Sequence, residues 1–268
     1  MAFEALLAFT GAVLGSGLAI FVLLANSRLF VHRVFASGMT AMVLAQICAG
    51  MEVHAVLPMD IVCWEYFRLL AAAFLPGTWL LCSMHFARAN CREIMAQWRG
   101  VILATYVPSF VLVLACQHAL CTPRFSFDTA FGWVLQLVRF GYGFHLYSLL
   151  ISAVIVIQLE RTLRASTSSM RWQIKCMLVG LGSVFAAQIY TDRQALLFSS
   201  TNKRLHVFTS WAVIGAHTCM ISSFICHRFL SVDIDLSRWG LHNSYTVLLV
   251  GSYVFTVGIM YPENWTGD

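Results

Sequence analysis

The chain has 268 residues, of which 59% are hydrophobic and only 11% charged, with a mean hydropathy of +0.76. Soluble domains carry about 25% charged residues, so a chain this apolar cannot cover a water-facing surface. That excludes a soluble enzyme, a nucleic-acid module and a disordered segment, and it makes the lipid bilayer the expected partner.

A spanning helix uses about 20 residues. The apolar runs predict an all-α, polytopic transmembrane bundle, a single domain over 1–268 with about eight spans. These are expected near 5–25, 36–57, 64–86, 101–116, 132–158, 175–191, 207–226 and 245–261. The first run has an acid, Glu4, where a signal peptide would carry basic residues, and no small-residue cleavage site precedes Asn26. It therefore reads as a retained helix. Pro76 and Pro108 interrupt the third and fourth runs and predict kinks. Gln188 and the polar stretch from Thr191 shorten the sixth. The glycines of Gly180-Leu181-Gly182 predict close helix packing there.

The net charge of +5 comes from 17 Lys and Arg residues in short clusters between apolar runs. With the N-terminus outside, eleven of the 17 fall in inner connections, four fall in outer ones, and Arg68 and Arg139 lie within spans. Positive charge is retained on the cytoplasmic side, so the N-terminus is expected outside a bacterial inner membrane. The nine cysteines include no CxxC pair and no zinc-finger spacing, and they read as buried thiols.

Ionisable groups within spans are costly and point to function. Glu65 and Arg68 are spaced i, i+3 and share one helix face. Arg139 is placed about two turns inside the fifth span, where it either snorkels or meets Glu52 across the bundle. Glu52, Glu65, Arg68 and Arg139 are thus the polar, signal-linked candidates. His145 and His217 offer a haem-ligating alternative, because imidazoles on facing helices at equal depth can hold a haem iron. No GxSxG elbow, HExxH helix or P-loop occurs. No catalytic residue, resident metal or cofactor is expected in this chain. A transporter is the other alternative, disfavoured by the shortage of midplane charge.

Four motifs add a resemblance: Leu75-Pro76-Gly77-Thr78-Trp79-Leu80-Leu81, Phe86-Ala87-Arg88 with Asn90, Arg92 and Glu93, Arg171-Trp172-Gln173-Ile174-Lys175, and Tyr190-Thr191 followed by Gln194 to Phe198. From about Arg28 to Gly258 the chain resembles the N-terminal membrane region of PrsK-type sensor histidine kinases of the PEP-CTERM/exosortase systems. The resemblance implies a sensory input module for a two-component kinase acting on exopolysaccharide and protein-sorting genes. It also implies homodimerisation and a response-regulator partner, both through a kinase core. That core is not in this sequence, which reads to a polar tail at Met260 to Asp268.

Overall fold

A computed structural model describes residues 2–86, 91–120, 125–128, 132–136, 139–165, 168–201 and 203–227. Seven helices lie among them: α1 (Ala2–Asn26), α2 (Phe30–His54), α3 (Pro58–Phe86), α4 (Cys91–Leu120), α5 (Arg139–Ala165), α6 (Ser168–Phe198) and α7 (Lys203–His227). The connections between most successive helices are too short for anything but an antiparallel return, so the chain runs up and down. The ends of α2, α4 and α6 and the starts of α1, α3, α5 and α7 therefore share one face, here called the N-terminal face.

Each helix has a local reason to form and a tertiary reason to stay. Pro58 opens α3, where its missing N–H is no loss and its fixed φ suits a first turn. Pro76 and Pro108 lie inside α3 and α4, as expected. Pro108 cannot bond the carbonyl of Ala104, and the Tyr147 hydroxyl of α5 donates to that carbonyl instead. Beside Pro76, the Thr78 hydroxyl donates to the carbonyls of Phe74 and Leu75, at 2.8 and 3.0 Å.

The main core joins α1, α2, α3, α5, α6 and α7 around Trp79, Phe35, Met39, Met177, Leu181 and Met220. The Phe35 and Trp79 rings meet edge to face, with centroids 5.5 Å apart. A smaller cluster of Leu69, Ala73, Val113 and Phe144 attaches α4 to α3 and α5. At Gly180 a Cβ would stand 3.0 Å from the Ala216 carbonyl oxygen, which shows how closely α6 and α7 approach. Gly182 faces open space and has no such role.

Outside the core, Leu103, Val107, Val111 and Leu114 form an exposed apolar stripe on α4, and Leu146, Leu150, Val154 and Ile157 form another on α5. Five described helices are long and apolar enough to cross a membrane: residues 3–25, 30–54, 59–84, 139–161 and 206–224, with a shorter apolar stretch over 100–115 of α4. Apolar stripes on the outside of a helical bundle are lipid-facing surface.

Two sequence expectations need correction. The fifth span was expected from residue 132, but Gly132–Gln136 is a strand, β2, paired antiparallel with β1 (Phe125–Asp128). The apolar run is continuous through this point, so composition alone does not reveal the break. A third strand, β3 (Ser200–Thr201), pairs with β2 at Leu135↔Thr201 and Gln136↔Ser200. The fold is helical with a small sheet that ties the α4–α5 and α6–α7 connections together at the N-terminal face. Ser199, with φ 49, turns the chain out of α6 in the left-handed conformation frequent at helix ends. The sixth expected span lies in α6, which stays helical through Gln188 and Thr191 for 31 residues but is not among the five helices long and apolar enough to cross a membrane, as its polar residues led one to expect. The eighth expected span, 245–261, lies outside the described residues.

Candidate functional site

The N-terminal face gathers most of the buried charge in the described bundle. Glu52 lies two residues before the end of α2, and Glu65 lies in the second turn of α3. His206 is three residues into α7, His145 six residues into α5, and Asp192 six residues before the end of α6. Because neighbouring helices alternate in direction, helix ends remote in sequence arrive at one level.

Glu65 and Arg68 form the ion pair expected from their spacing. Arg68 Nε donates to Glu65 Oε2 at 2.6 Å and a terminal guanidinium nitrogen donates to Oε1 at 2.7 Å. The side chains are 3% and 13% exposed, so the fork is largely desolvated. Glu52 is also buried, and it faces His206, whose Nε2 lies 3.4 Å from Glu52 Oε2 and 3.8 Å from Glu65 Oε2. Six residues deeper on α2, Gln46 Oε1 accepts a 2.8 Å hydrogen bond from the Ser210 hydroxyl of α7. The same two helices are thus joined at two levels.

A second group adjoins the first. His145 Nδ1 lies 2.7 Å from Asp192 Oδ1, and Gln188 Nε2 donates to the same oxygen at 3.0 Å. Asp192 is fully buried, and its Oδ2 has no hydrogen-bond partner. Arg68 interacts electrostatically with Glu52 and Asp192 as well as with Glu65, and Glu65 with His206 and His145. The two groups therefore form one electrostatic network across α2, α3, α5, α6 and α7. Its three carboxylates exceed its one guanidinium, which leaves two negative charges for the imidazoles or a bound cation to offset.

The structure unites Glu52, Glu65 and Arg68 but not Arg139. Arg139 is the first residue of α5 and is exposed, because the hairpin takes up the residues expected to precede it in the span. Glu52 meets His206 in place of Arg139. His145 and His217 face different neighbours. His145 lies about 9 Å along α5 and engages Asp192, whereas His217 lies about 21 Å along α7. Those positions do not supply the equal depth a shared haem needs. The His217 ring packs against α1, where a Cβ on Gly15 would stand 2.8 Å from its Cε1. Neither of its ring nitrogens has a well-formed hydrogen bond, and the polar group beside it is the Gly11 backbone.

His206, Asp192 and Gln188 are the site residues that sequence reasoning passed over. His206 fell just before the expected seventh span, and Asp192 just after the sixth. The available signal was a polar residue within two turns of a helix end, repeated on five helices.

A family model described as the N-terminal 7TM region of histidine kinase matches residues 7–232. The chain belongs to this family. The matched stretch contains the greater part of α1 and all of α2 to α7, which accounts for the seven spans in the description. No match to a curated protein or to a solved structure reaches significance. The bundle is a multi-pass membrane protein region of the kind that supplies sensory input to histidine kinases. Seven antiparallel helices bring the end of α7 to the face opposite the N-terminus, away from the polar network. The expected eighth span lies beyond the matched stretch.

Proposed function

We propose that this bundle is the input module of a PrsK-type kinase of a PEP-CTERM/exosortase system, with its N-terminus outside a bacterial inner membrane. In this reading the buried polar network faces the exterior and receives the signal. A change in its charge or occupancy alters how α2, α3 and α7 pack at that end. Because α7 is one continuous helix that leads to the opposite face, the altered packing is transmitted toward a dimeric kinase core and its response regulator. The observation that carries the reading is the network itself, in which five helices meet through charges that are expensive in lipid. The PrsK assignment rests on the four sequence motifs, and the orientation rests on the excess of basic residues in the inner connections, eleven against five once Arg139 is counted at the exposed start of α5.

The test joins residues 1–232 in frame to a histidine-kinase core of this family and measures autophosphorylation in membrane vesicles. Changing Glu65 and Arg68 together to Gln and Met should shift basal autophosphorylation at least threefold while the protein remains inserted. Unchanged autophosphorylation in that variant and in His206→Gln would refute the input role of the network. A genomic frame downstream that encodes no kinase, with none nearby, would refute the PrsK assignment.

A further inference from the structure

Glu52, Glu65 and His206 come from three helices and direct their donor atoms to one point. One ligand-capable atom from each of the three lies within 4.8 Å of the other two, and all three residues are buried. The imidazole Nε2 stands 3.4 and 3.8 Å from the two facing carboxylate oxygens. A tetrahedral ion with bonds of about 2.0 Å needs donor atoms about 3.3 Å apart; the His206–Glu52 separation of 3.4 Å meets that spacing, and small side-chain adjustments would bring the Glu65 oxygen, at 3.8 Å, to it. We propose that Glu52, Glu65 and His206 form a binding site for a divalent transition-metal ion of the zinc type.

The chemistry of the donors selects the ion. One imidazole and two carboxylates suit a borderline ion such as Zn2+ or Co2+ better than Mg2+ or Ca2+, which take oxygen ligands and larger coordination numbers. Arg68 does not compete for the site. Its Nε and terminal nitrogen take one lone pair of each Glu65 oxygen, leaving the other pair of Oε2 for the ion. It acts as the outer partner that fixes a ligating carboxylate in orientation. Electrostatics point the same way. With His206 neutral, Glu52, Glu65 and Arg68 leave one buried negative charge, which favours a cation at this point over the apolar surroundings.

The position makes access possible. Glu52 lies within the last turn of α2 and His206 within the first turn of α7, so the site is one to two turns below the N-terminal face. An ion held there would join α2, α3 and α7 directly. Binding is a property of the bundle and holds whether or not the sensory reading is correct.

The experiment uses the 268-residue chain in detergent micelles, stripped with chelator and then titrated with Co2+ and competed with Zn2+. The wild type should bind one Zn2+ per chain, with a coordination shell of one imidazole and carboxylate oxygens by zinc-edge X-ray absorption. Glu52→Gln and His206→Gln should each weaken binding at least tenfold with helical circular dichroism unchanged. The paired change His54→Gln and Cys63→Ser, at exposed donors of the same end, should leave binding intact. The X-ray absorption measurement on wild type stands even if a variant fails to fold. Absence of stoichiometric binding, sulfur in the coordination shell, or undiminished affinity in His206→Gln overturns the proposal.

Discussion

Replacing Arg68 with Met keeps the length of the side chain and removes the charge that three buried carboxylates share. Glu65 loses both arms of a desolvated fork, at 2.6 and 2.7 Å, while its side chain stays 3% exposed. Glu52 and Asp192 lose the same neighbouring positive charge. Removing one partner of a buried ion pair costs about 3–5 kcal/mol, because the remaining charge is stranded rather than because the pair itself is worth that much. The paired change Glu65→Gln with Arg68→Met removes both charges and should recover at least about 2 kcal/mol of the loss. Equilibrium unfolding in mixed micelles with increasing dodecyl sulfate reads both values. The Arg164–Glu160 pair, whose side chains are 79% and 57% exposed, supplies the contrast. Water screens it, so Arg164→Ala should change stability by no more than about 0.5 kcal/mol. If Arg68→Met fell within 1 kcal/mol of wild type, or the double variant were no more stable than the single one, the charge-stranding account would be wrong.

Other consequences follow from particular contacts. Tyr147→Phe should cost about 1 kcal/mol by orphaning the Ala104 carbonyl, and the loss should vanish in a Pro108→Ala background, where the restored N–H takes that carbonyl; a double-mutant cycle measures it. Gly180→Ala should destabilise by about 1–3 kcal/mol, since the new Cβ meets the Ala216 backbone rather than a movable side chain. Gly182→Ala should be neutral or stabilising by up to about 1 kcal/mol in the same unfolding assay. Alkaline phosphatase joined after Leu57 should be active in a bacterial host, and joined after Arg88 inactive; the reverse pattern would invert the orientation.

Much of this architecture is readable along the chain because bilayers impose a local rule. Every backbone group in lipid must bond within its own segment, so runs of apolar residues become helices wherever they are long enough. Seven of the eight expected spans coincide with described helices to within several residues at most ends, and the Glu65–Arg68 pair follows from helical spacing alone. Local rules fail where partners are remote. Periodicity identifies an apolar face but not the helix that covers it. His206 lies 154 residues from Glu52, and Asp192 lies 47 from His145, so only the helix arrangement brings each pair together. The same limit explains Arg139. Gly132–Gln136 is apolar enough to continue a helix, and its pairing with Phe125–Asp128 and Ser200–Thr201 makes it a strand and moves Arg139 to an exposed helix start. Composition by itself determined the compartment and the helical class, since burial in lipid is a property of each segment separately. The tertiary structure alone decided which charges meet, because the polar network exists only where the ends of five helices come together.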